Sequence, residues 1–173
     1  ALRRQGVDLL SNAKKLANDK SPAVRREVAL AMRNLGKEAV PILSTIAAHF
    51  DGADRTYLEA VGTGATGKES QVYAAVIADS APEKWTASQA KLAWRLHPPQ
   101  GASALQQRAM SASVSPEEKK AAIVALAYTK EKEGATAMLD LAQNGTGAAR
   151  GLALGWLLKL KNAHRNDPGP DAD

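Results

Sequence analysis

The feature that most constrains this chain is an apolar stripe that stops at a glycine and starts again. After Ser21-Pro22 come Val24, Val28, Met32 and Leu35, spaced four, four and three residues apart. That spacing puts them on one face of an α-helix. Ser suits the N-cap, and Pro suits the first helical position because the N–H it lacks has no intrahelical partner there. Gly36 is the predicted C′ residue, where a left-handed backbone closes a helix. A second stripe, Val40, Leu43, Ile46 and Phe50, starts near Lys37 and stops at Asp51-Gly52. Two amphipathic helices on so short a loop make a helical hairpin. Neither helix can hide its stripe alone, so the hairpin needs neighbours.

The same arrangement follows three more times, about every 30 residues. Residues 54–65 pair with 69–79, 87–97 with 100–111 across Pro98-Pro99, and 116–132 with 134–143. Ser115 with Glu118 three residues on matches a capping box. Single helices are predicted at 7–18 and 148–163. Hydrophobic residues make up 45% of the chain but aromatics only 4%, so alanine and leucine form the core and let helix backbones approach closely. The predicted class is all-α. No apolar run is long enough to span a bilayer. The absence of cysteine excludes disulfides and thiolate metal sites. His49, His97 and His164 lie in separate helical segments without partners at ligand spacing, so no metal is expected.

Asp19, Pro22, Val24 and Arg25, the alanine-rich turns after them, Leu35-Gly36 and Val40-Pro41-Ile42-Leu43 together resemble the HEAT repeat. The resemblance implies an α-solenoid, or α-α superhelix, of about four hairpins plus flanking helices over residues 1–165. It also implies that Asp19 and Arg25 belong to the hydrogen-bonded ladder linking neighbouring repeats. A narrower stretch is similar to the helical block of large exported bacterial proteins that join a propeller dehydrogenase-like domain to a c-type cytochrome domain. It comprises Asp54-Arg55-Thr56-Tyr57-Leu58-Glu59-Ala60-Val61-Gly62, Trp85, and Leu92-Ala93-Trp94-Arg95-Leu96-His97-Pro98-Pro99. That similarity implies a module of a larger exported or periplasmic redox protein. Cys-x-x-Cys-His does not occur here, so any haem would belong to another part of the parent. The start at Ala1, without Met or a hydrophobic signal core, reads as a cut within a longer chain. Residues 166–173, rich in Pro, Gly and Asp, read as a disordered tail or linker.

Gly62-Thr63-Gly64-Ala65-Thr66-Gly67-Lys68-Glu69 mimics both a dinucleotide fingerprint and a P-loop. Both motifs need a strand feeding the loop, whereas residues 55–61 are helical in pattern and Glu69 replaces the magnesium-binding hydroxyl. The segment reads as an interhelical turn. The net charge of +5 comes entirely from the first 37 residues, where nine Lys/Arg oppose three Asp/Glu; fourteen oppose fifteen thereafter. Arg26, Arg33 and Lys37 are the candidate phosphate-facing cations, with Arg26 and Arg33 seven apart on one helix face. Trp94-Arg95 is the candidate protein-binding anchor, since Trp and Arg dominate interface hot spots. Trp85 and Trp156 are expected to pack between hairpins. The expectation is a scaffold without catalytic residues or cofactor, contacting a protein partner or neighbouring domains. The alternative is a nucleic-acid-binding or DNA glycosylase-type HEAT-like protein, which needs an aromatic-lined basic channel that seven aromatics poorly supply.

Overall fold

Where a capping side chain precedes an apolar stripe, a helix begins. The computed structural model describes residues 8–129 and 131–165, with side chains as far as residue 159. Among these residues all regular structure is helical. Asp8 caps α1 (Leu9–Leu16) by accepting the Ser11 N–H at 3.1 Å, and Asp54 caps α4 (Arg55–Gly64) through the Tyr57 N–H at 3.0 Å. The predicted capping box forms: Ser115 and Glu118 each accept the other's backbone N–H, opening α8 (Pro116–Tyr128). A second box, Thr86 with Gln89, opens α6 (Ala87–Leu96). Ser21-Pro22 starts α2 (Pro22–Ala31) without a side-chain cap bond, and the Ser21 N–H donates to the Asp19 carboxylate at 2.8 Å. The remaining helices are α3 (Val40–Ala48), α5 (Glu69–Val76), α7 (Ala102–Met110), α9 (Glu131–Asn144) and α10 (Gly147–Arg165).

The described residues form two compact units that divide between Pro98 and Pro99, the dipeptide read from sequence as the loop of the third hairpin. In the first unit α2 packs on α3 and α4, α3 on α4 and α5, and α6 on α4 and α5, with α1 against α2. Its core is Met32, Ile42, Leu43, Ile46, Val61, Ile77 and Leu96, all essentially solvent-free. In the second unit α7 packs on α8 and α9, and α10 on α8 and α9, around Leu105, Ile123, Leu126, Met138 and Leu141.

Two predicted boundaries move. α2 closes at Ala31, and Gly36 has φ −81° rather than a left-handed value; the carbonyls at the helix end accept from the N–H groups of Met32 and Arg33 instead. α8 ends at Tyr128 rather than near residue 132. The Thr129 hydroxyl turns back to donate to the Ala125 carbonyl at 2.9 Å, and Glu131 adopts φ +73° to restart the chain as α9. The tail predicted for residues 166–173 lies outside the described residues.

Candidate functional site

The glycine-rich segment is a helical joint, and each of its conspicuous residues has a packing role. A Cβ on Gly62 would sit 2.3 Å from the Arg95 guanidinium carbon, and one on Gly64 would sit 2.2 Å from the Ala29 carbonyl oxygen. These two glycines let α4 lie against α6 and α2. Gly67 turns the chain with φ +74°. Lys68, in the place of a P-loop lysine, is 4% exposed. Its ammonium donates to the carbonyls of Arg33 (3.2 Å), Leu35 (3.0 Å) and Thr66 (3.0 Å). An ammonium has three N–H donors, and here each has a carbonyl acceptor. Lys68 thus ties down the turn after α2 by satisfying the Arg33 and Leu35 carbonyls, which lie beyond the helix end. Beside it, the Glu38 carboxyl is held below its ordinary value by backbone N–H groups, its own first and then that of Gly36, with a smaller pull from Lys68.

Asp19 and Arg25 meet through the main chain. Arg25 donates to the Asp19 and Lys20 carbonyls at 2.5 and 3.3 Å, not to the Asp19 carboxylate. Its Nε donates to the Tyr57 hydroxyl at 2.9 Å, and that hydroxyl donates to the Ile46 carbonyl at 2.8 Å. One arginine thus links the start of α2 through α4 to α3. Burial pushes the Tyr57 hydroxyl above its ordinary value, against the opposing pull of Arg25.

The proposed phosphate-facing cations do not converge as one helix face. Arg26 forms an ion pair with Asp54 at 3.1 Å. Arg33 lies beyond the last residue of α2, so the seven-residue helical spacing no longer aligns it with Arg26. Lys37 opens a 3-10 turn, and both Arg33 and Lys37 are exposed.

Trp94 and Arg95, the residues expected to form an anchor, lie in a side-chain cluster on α4 and α6. Glu59 accepts from Arg55, four residues earlier on α4, and from Arg95 on α6, both at 2.7 Å. The Arg55 guanidinium lies 5.1 Å from the centre of the half-buried Trp94 ring. Burial disfavours the charged form of Glu59, but hydrogen bonds from Arg95 and Arg55, and their charges, outweigh it and hold the carboxyl below its ordinary value. Arg55 stays 69% exposed and Arg95 26%. The result is a cross-linked cluster of one aromatic ring, two guanidinium groups and one carboxylate, partly open to solvent. Sequence reasoning missed Arg55, Tyr57 and Glu59 as site residues. Only the four-residue Arg55–Glu59 spacing could have marked the pair.

Trp85 is buried and donates to the Ser80 carbonyl at 3.1 Å, while Trp156 meets Tyr128 edge-on at 5.7 Å. No group of three or more His, Cys, Asp or Glu converges among the described residues. No described helix is long and apolar enough to cross a membrane. No protein-family profile matches the chain, and no curated protein matches its sequence.

Proposed function

We propose that the chain is a non-catalytic scaffold of stacked HEAT-like hairpins in an α-solenoid, whose work is contact with a protein partner or with neighbouring domains of a parent chain. The stacking is supported by an alternation in the packing: α2 lies on α4 and α4 on α6, α3 lies on α5, and in the second unit α7 lies on α9 and α8 on α10. The contact role rests on the Arg55–Glu59–Arg95 cluster with Trp94. Its side chains are already ordered by one another, so a partner loses little rotamer freedom in docking there. The reading extends to an exported redox parent, supported by the resemblance of residues 54–62, Trp85 and 92–99. The nucleic-acid reading is weaker, because Arg26 is already paired and Arg33 and Lys37 lie on separate turns.

The test is affinity capture from the native host with the wild-type chain, Trp94→Ala and Arg55→Glu. A partner retained by wild type and lost by both folded variants is expected. Equal retention by all three overturns the assignment of this surface. Salt-dependent retention of duplex DNA at low ionic strength would favour the nucleic-acid reading instead.

A further inference from the structure

The last described helix turns a second apolar stripe away from its own unit. α10 buries Ala153 and partly buries Ala149, Leu152, Trp156 and Leu157 on the side that packs on α8 and α9. On the opposite side Leu154 and Leu158, one turn apart, remain 43% and 60% exposed. Single exposed leucines are ordinary, but a pair at helical spacing on one outward face is a surface feature. Gly151 and Gly155 share that side, and a Cβ built on either would meet nothing within 4 Å. This contrasts with Gly134 and Gly145, where a Cβ would strike a backbone carbonyl at 2.6 and 2.3 Å. No packing among the described residues requires glycine at 151 or 155, and glycine weakens a helix interior. What the two glycines do provide is a shallow trough beside the leucines, into which another helix backbone can settle closely.

The charge on this helix has one sign. Arg150 flanks the stripe on one edge; on the other, the Lys159 ammonium lies 4.9 Å from the centre of the Trp156 ring, and the sequence of α10 contains no Asp or Glu. We propose that this face of α10 docks an amphipathic helix of a partner protein whose apolar stripe is flanked by acidic residues. The leucines supply the apolar contact, the glycines set a close approach, and Arg150, with the Lys159 ammonium held at the Trp156 edge, sets the partner's sign of charge. A second copy of the chain fits less well, because it brings Arg150 and Lys159 against their own kind. An anionic lipid surface would gain nothing from the glycine trough. The proposal stands apart from the Trp94 surface, which belongs to the other unit.

The test uses the full 173-residue chain and two labelled helical peptides of about 20 residues, alike in a Leu/Ala stripe but flanked by Glu in one and Lys in the other. Anisotropy titrations should show saturable binding of the Glu peptide and at least about tenfold weaker binding of the Lys peptide. Gly151→Leu should weaken the Glu peptide at least about tenfold while the thermal melt of the protein falls no lower than wild type. Leu158→Ser, a second folded variant, should weaken it as well. No binding of the Glu peptide at about 100 μM, no preference between the peptides, or indifference to Gly151→Leu overturns the proposal. Dimerisation in sedimentation that Gly151→Leu abolishes would reassign the face to a second copy. Cosedimentation with phosphatidylserine vesicles that Leu158→Ser abolishes would reassign it to lipid.

Discussion

Lys68 shows how little a motif says without its scaffold. Its ammonium serves three main-chain carbonyls, two of which lie more than 30 residues upstream, and hydrogen bonds to a charged group contribute about 1.5–3 kcal/mol each against an unsatisfied alternative. Lys68→Met keeps the side-chain volume and removes every donor. It should lower stability by about 2–4 kcal/mol, read as the shift in urea midpoint; an unchanged midpoint would mean that water satisfies those carbonyls equally well. The glycines nearby separate two physical causes. Gly64→Ala drives a Cβ into the Ala29 carbonyl oxygen, a backbone atom that cannot step aside, and should cost about 3 kcal/mol or more. Gly67→Ala meets open space and bears only its φ of +74°, which costs about 1–2 kcal/mol. Equal losses in the two variants, measured by denaturant unfolding, would refute the close approach of α2 and α4. That the loop is not a phosphate cradle was legible in the helical pattern of residues 55–61. The roles of Gly62, Gly64 and Lys68 were not, because Arg95, Ala29 and the turn after α2 are their partners only in three dimensions.

At the level of single helices, the α8 start is where local sequence and local structure agree best. The Glu118 carboxyl is held below its ordinary value of 4.5, first by the Ser115 hydroxyl, then against some burial by the Ser115 N–H and the Arg108 charge. The unfolded chain therefore takes up this proton first as acid is added. The stabilisation is complete above the ordinary carboxylate value and is lost as pH falls through the lower folded one. Urea midpoints measured from pH 6 to pH 3 should decline, and Glu118→Gln should flatten that decline; an unchanged slope would show that the carboxylate bears no part of it. Ser115 and Glu118 carry their signal within one helical turn, and the stripes of α2 and α3 carry theirs within a single short segment, so these elements could be read directly. The end of α2 could not. A glycine at 36 is the usual stop, but the N–H groups of Met32 and Arg33 already close the helix on its own carbonyls, so it finishes at Ala31 without a left-handed residue. The helix face that the sequence spacing predicts for Arg26 and Arg33 therefore does not extend to Arg33. The Thr129 back-bond likewise ends α8 at a residue no pattern singles out.

For the molecule as a whole, the proline pair at 98–99 carries more weight than its appearance as a loop suggested, since each side of it has its own buried core. Leu141→Ala, in the core of the second unit, should cost about 2–5 kcal/mol. Hydrogen exchange should show faster opening of the amides of α8, α9 and α10 before those of α2 to α5; uniform acceleration would mean that the chain unfolds as one cooperative body. The all-helical class was readable because alanine-rich 3.6-residue periodicity runs through most of the chain. The division was not, because hairpin spacing is indifferent to which neighbour a helix chooses. Lys68 is the only buried lysine among the described residues, and its amine is walled off from reagents. Acylating agents should therefore modify the other described lysines first, and the moment Lys68 joins them, followed by mass spectrometry, would clock the opening of the first unit without any introduced label.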